Sequence, residues 1–258
     1  MRGAVVIKVC LNGARPLSDH PALPVRPEEF AREARAAVDA GAVLVHVHPR
    51  GSDGAETMDA PVAAAILTAI RKVCPGLRVG VTTGAWVEPD PERRLERVRS
   101  WTVLPDFASV NLSEVGAAEL AEVLLARGIG VEAGLATVED AALLTTTHVW
   151  SRVERILVEV EGPDDAAQVR LAAEIDALLD GAGMAAPRFH HGAGRPTWAV
   201  LARALEVGHQ LRIGLEDTLE LPDGSTARGN GDLVAAAVRL AREHGRDPAT
   251  LPEPSDRA

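Results

Sequence analysis

The feature that most limits what this chain can become is an alternation, repeated eight times, between a short β-branched apolar run and a longer stretch with helical spacing. Runs at 4–11, 44–50, 77–83, 107–111, 128–134, 155–161, 187–191 and 211–215 predict strands one to eight. The first, Ala-Val-Val-Ile-Lys-Val-Cys-Leu, is almost continuously apolar, the pattern of a strand buried on both faces of a parallel sheet. Helix signals fill the intervals. Pro27 starts one helix with Glu28 and Glu29 in its first turn, and Gly41 stops it. Asp59 caps a second whose Val62, Ile66, Ile70 and Val73 form one stripe. Further helical stretches run over 89–101, 114–127, from Thr137 onward, over 163–179 and from Arg195-Pro196 to Gly208. The last, over 231–244, has Asn230 as its cap and Gly245 as its stop. With no linker or low-complexity segment in the series, this predicts an α/β fold, a single-domain (β/α)8 TIM barrel over 1–258 with a short C-terminal tail from about residue 251. An open doubly wound sheet is the alternative.

Composition removes several classes of function. A net charge of −10 argues against a nucleic-acid partner, since duplex binding needs a basic face. Cys10 and Cys74 are too few for a disulfide framework and read as reduced thiols. The N-terminus lacks signal-peptide architecture, and no apolar run reaches the length of a bilayer span, so a cytoplasmic chain with no membrane partner is expected.

In a barrel of this kind chemistry sits at the C-terminal strand ends. Two stretches stand out there. In Leu44-Val45-His46-Val47-His48-Pro49-Arg50 the two histidines are two residues apart, so in a strand both imidazoles project to the same side, as metal ligands do. In Arg212-Ile213-Gly214-Leu215-Glu216-Asp217 a pair of carboxylates follows the last apolar run, one strand removed from the histidines across strand one. Glu216 can complete a two-histidine, one-carboxylate site with a position open for substrate or water. Other polar residues near strand ends are Asn12, Arg15, Thr82, Thr83, Ser109, Asn111, Glu132 and the pair His190-His191. One of that pair is expected to line the pocket.

These stretches, with Asn12-Gly13-Ala14, Pro27-Glu28-Glu29, Thr82-Thr83-Gly84, Ala108-Ser109-Val110-Asn111 and Gly245-Arg246-Asp247-Pro248, resemble the β-keto acid cleavage enzymes along nearly the whole chain. The resemblance implies a zinc-dependent barrel, Zn2+ being held by His46, His48 and Glu216. Asp217 with Arg212 would form the proton-abstracting dyad. The hydroxyls of Thr82 and Ser109 would bind substrate. Independently of the resemblance, Thr83 and Gly84 offer donors suited to an oxyanion, and Asn111 and Glu132 are candidates for substrate contact from their place at strand ends. The implied reaction joins a β-keto acid and acetyl-CoA to give acetoacetate and a new acyl-CoA, in a homo-oligomer, a tetramer by the same resemblance.

The chain departs from the family pattern at Arg15, where the enzyme acting on an amino substrate carries a glutamate after Gly-Ala. An arginine repels an ammonium, so the variable end of the substrate is expected to be anionic or neutral. The Arg93-Arg94 and Arg97-Arg99 pairs read as a solvated helix face, or secondarily as contacts for a CoA phosphate. Three other readings compete. A zinc hydrolase of the amidohydrolase type needs metal histidines on strands five and six, where this chain has Glu132 and Glu159 or Glu161. A divalent-metal retro-aldolase shares the enolate chemistry without CoA, and a metabolite-binding barrel shares only the fold.

Overall fold

A computed structural model describes residues 3–146 and 148–251. The tail expected from about residue 251 falls almost wholly outside the described residues. Eight parallel strands close in sequence order into a barrel, each followed by a helix, which is the predicted (β/α)8 architecture. The strands are β1 Ile7–Cys10, β2 Leu44–Val47, β3 Arg78–Thr82, β4 Phe107–Asn111, β5 Gly130–Leu135, β6 Arg155–Glu161, β7 Arg188–Ala193 and β8 Gln210–Ile213. The helices are α1 Pro27–Ala40, α2 Ala60–Val73, α3 Pro91–Ser100, α4 Ala117–Ala126, α5 Val138–Leu144, α6 Asp165–Gly181, α7 Thr197–Val207 and α8 Asn230–Glu243. Among the described residues no helix is long and apolar enough to cross a membrane.

Several local expectations give way to tertiary contacts. The 4–11 run pairs as a strand only over Ile7–Cys10, and Val5 instead bridges Pro248. Asp59 makes no side-chain cap on α2, because its carboxylate accepts from Arg97 of α3. Asn230 does not cap α8 either. Its side-chain oxygen accepts from the Leu215 backbone at 2.9 Å and its amide donates to the Leu11 carbonyl at 3.1 Å. That one buried amide ties the exit of β1 to the loop after β8.

The core has two parts. Alternate residues on the outer strand faces, such as Val9, Val45, Val79, Val131 and Ile213, pack under the helices. Inside, Leu44, Phe107, Leu157 and Phe189 fill the lower barrel, each contributing about 1.5–3 kcal/mol by leaving water. Above them Glu132 of β5, fully buried, receives Lys8 Nζ at 2.8 Å and Arg155 at 2.9 Å. This ion triad plugs the barrel and separates the cavity at the C-terminal strand ends from a second one at the strand starts, lined by Leu44, Arg78 and Phe189 among others.

Candidate active site

β2 brings His46 and His48 to the same inward face, their ring centroids 5.1 Å apart. Asn12 fixes the height of the second: its amide donates to the His48 carbonyl at 2.8 Å and its oxygen accepts from the His48 backbone at 3.0 Å. β8 delivers Glu216 to them across β1, where the strands approach so closely that a Cβ at Gly214 would stand 1.9 Å from the Cys10 carbonyl oxygen. Gly13 has a positive φ of 58°, and a Cβ there would meet the Glu216 side chain at 2.4 Å. The Asn-Gly-Ala loop thus has a glycine where the carboxylate must pass.

His46, His48 and Glu216 place one ligand atom each within 4.8 Å of the others. His48 Nε2 lies 3.3 Å from Glu216 Oε2. On its other side, His48 Nδ1 lies 2.6 Å from Glu56 Oε1, so Glu56 favours a proton on Nδ1, and Nε2 is the nitrogen that would give up its proton to take a cation. Trp86 donates to the same Glu56 carboxylate at 3.1 Å, and its ring stacks over His48 at 6.0 Å. Burial pushes His46 down to about 3, so it is a neutral imidazole. Burial also works against charge on His48, but Glu216 and Glu56 outweigh it and raise the group to about 9. Glu216 is held well below the usual carboxylate range, burial being overcome by Arg212 and His48. His46 Nδ1 and Glu216 Oε2 are buried without hydrogen-bond partners in the protein. Two neutralisable nitrogens, a carboxylate oxygen and orphaned polar atoms among surplus negative charge together fit a divalent cation.

Beside this set lies Asp217, 1% exposed, with Oδ1 3.1 Å from Arg212 Nε and 3.0 Å from His191 Nδ1. Its Oδ2 has no partner in the protein. Arg212 also contacts Glu216 and approaches Glu159 at 3.6 Å, so one guanidinium serves three carboxylates. A cavity of about 660 Å³ opens over these groups, lined among others by His48, Trp86, Glu159, His191, Arg212, Glu216 and Asp217.

The residues expected at the pocket therefore divide. His46, His48, Glu216, Asp217 and Arg212 come together. Arg15 reaches the cavity, donating to the Leu215 carbonyl at 2.7 Å and the Glu216 carbonyl at 3.1 Å. Thr82 and Ser109 are register partners near the mouth ends of β3 and β4. Thr83 is spent on structure, its hydroxyl donating to the Ser109 carbonyl at 2.5 Å. Gly84 lies beneath the Trp86 ring, and Asn111 donates to Glu114 at 3.0 Å. Glu132 is the clear correction: it belongs to the plug below, with both oxygens on Lys8 and Arg155, because it sits mid-strand rather than at the exit of β5. Arg94, read as part of a solvated face, is buried and paired with Glu114 at 2.9 Å.

Sequence reasoning missed Glu56, Glu159 and Trp86. The Arg155, Leu157, Glu159 alternation along β6 could have exposed the second. Glu56 depends on the Asp53-Gly54 turn folding back on Arg50, a bridge that no spacing rule announces.

A sequence model described as beta-keto acid cleavage enzyme matches residues 4–255. The chain is 29% identical over 270 residues to 3-keto-5-aminohexanoate cleavage enzyme of Fusobacterium nucleatum, covering 98% of this chain and 97% of that one. It is 27% identical over 275 residues to 3-oxoadipate:acetyl-CoA acetyltransferase of Cupriavidus necator, covering 95% and 91%. Among solved structures, a binary complex of ObcA with oxaloacetate superposes with a TM-score of 0.74 at 16% identity, over 90% of this chain and 66% of that chain, a likeness of fold.

Proposed function

Because the chain belongs to the beta-keto acid cleavage enzyme family, we propose that it is a zinc-dependent enzyme in which a β-keto acid and acetyl-CoA give acetoacetate and a new acyl-CoA. The observation that carries this reading is the meeting of the His46, His48 and Glu216 set, two members of which line the cavity, with the Asp217 carboxylate beside it, whose one oxygen is unpartnered. Zinc held by those three residues would supply Lewis acidity toward a carbonyl oxygen, which lowers the cost of an enolate.

The rest of the chemistry falls to the chain. Asp217 Oδ2 takes a C2 proton, and the C–H electron pair becomes the enolate. Arg212 orients that carboxylate by donating from Nε to Oδ1 at 3.1 Å, which leaves Oδ2 for the substrate. Thr82 and Ser109 offer hydroxyls for substrate oxygens at the mouth. Glu56, through His48 Nδ1, holds the imidazole in the tautomer that a metal needs. Arg15 supports a substrate whose variable end is anionic or neutral, because its fixed charge on the cavity wall repels an ammonium.

The test is a panel of β-keto acids incubated with zinc-loaded protein and acetyl-CoA, with products read by mass spectrometry. Acetoacetate and a matching acyl-CoA are expected, with 3-oxoadipate or an uncharged β-keto acid turned over faster than 3-keto-5-aminohexanoate. Cleavage without acetyl-CoA would instead make the chain a lyase of the retro-aldolase type. A preference for the amino substrate would refute the role given to Arg15.

A further inference from the structure

Strand β7 carries two adjacent histidines, His190 and His191, and the alternation of the strand sends them to opposite sides. His190, with Arg188, faces outward to Asp176 on α6. His191, with Phe189, faces into the barrel and joins the cavity wall. There His191 stands between two carboxylates: Nδ1 is 3.0 Å from Asp217 Oδ1 and Nε2 is 3.4 Å from Glu159 Oε2. It is 4% exposed, and neither ring nitrogen has an aligned hydrogen bond in the protein. A buried imidazole with both nitrogens in reach of carboxylates, yet committed to neither, is poised to settle when substrate enters.

We infer that His191 is a positioning residue for Asp217, engaging Oδ1 so that Oδ2 is the oxygen presented to the substrate carbon. Arg212 cannot do this alone, because it is divided among Glu216, Asp217 and Glu159. His191 contacts none of the proposed metal ligands, so its work is separable from metal holding. On the far side of the ring Glu159 Oε2 is the acceptor within reach of Nε2, at 3.4 Å. Burial raises that carboxyl, but His191 and Arg212 overcome the effect and hold it at about 2, so it stays an acceptor.

The inference rests on the function proposed above, and the test separates the two. Exchange of C2 hydrogen for deuterium in a β-keto acid, without acetyl-CoA, reports proton abstraction alone. In zinc-loaded H191L, exchange and kcat should fall together by about 10- to 100-fold, the loss typical of removing an outer partner of a reacting group. KM should stay within about two-fold and metal content at the wild-type level. H191N, which restores one donor, should recover part of the rate, and E159Q should lose less than H191L. Should H191L fail to fold, the H191N and E159Q pair decides. Full exchange in H191L or, failing that, in both other variants would overturn the role, as would metal loss in step with activity. Absence of exchange and acetoacetate in the wild type would instead remove the function itself.

Discussion

His46, His48 and Glu216 at the barrel mouth, and Asp176, His190 and His209 on its outer wall, are each two imidazoles and a carboxylate with ligand atoms within 4.8 Å. Their surroundings differ. On the wall, Asp176 already receives Arg188 at 3.1 Å and Arg203 at 2.7 Å, and the His190 and His209 rings stack face to face at 4.8 Å. Both Asp176 oxygens are thus taken by guanidiniums, and Arg188 also pairs with Asp180 at 2.6 Å, so the acids there are already matched and a dication would meet repulsion at about 3 Å, where Coulomb energies are large even at an effective dielectric near 20. At the mouth carboxylates outnumber guanidiniums: Glu216, Asp217, Glu159 and Glu56 surround two histidines and share chiefly Arg212. Ligand identity and spacing make both sets candidates; the balance of counter-charge chooses between them.

The largest effect that would sharpen this contrast is on turnover. Replacing Asp217 by Asn should lower kcat by about 10³-fold or more while zinc stays bound, as expected for loss of a general base. Replacing Glu216 by Gln should lower turnover and zinc occupancy together. Equal metal loss in both variants would merge two roles that are here kept apart.

Next comes the plug beneath the site. Glu132→Gln leaves Lys8 buried without a carboxylate and Arg155 with Glu154 alone, and should cost about 3–5 kcal/mol in denaturant unfolding. Burial raises Glu132, but Lys8 and Arg155 overcome it and hold the group at about 2. Its folded value lies below its unfolded one, so the stability it contributes is complete above about pH 4.5 and drains away as pH falls toward 2. The wild type should therefore lose stability across that window, and the variant should show a flatter acid limb.

A smaller effect belongs to Glu56. Glu56→Gln should weaken zinc affinity by about 10- to 100-fold in a chelator competition. The smallest is the wall: with His190 and His209 replaced together by Asn, zinc stoichiometry at the mouth should not change. A drop by one equivalent would break the comparison.

What could be read from residues alone followed from strong periodicities. The apolar runs gave the barrel because burial on both strand faces leaves few other folds, and the His46-x-His48 spacing gave an inward pair because side chains alternate. Glu216 was legible because it directly follows a strand. Glu132 was misjudged because a strand end inferred from an apolar run is uncertain by two or three residues, enough to move a carboxylate from the rim to the plug. Glu56 and Trp86 reach His48 through loops, whose path depends on contacts such as Arg50 donating to the Gly13 and Gly54 carbonyls across two βα turns.

The central claim is that three side chains from β2 and the loop after β8 grip one cation. An anomalous difference map at the zinc edge, from crystals of zinc-replete protein, tests it most directly. The account predicts a single strong peak between His46, His48 and Glu216, and none beside Asp176. A map with no density at the mouth, or with its peak on the outer wall, would contradict it.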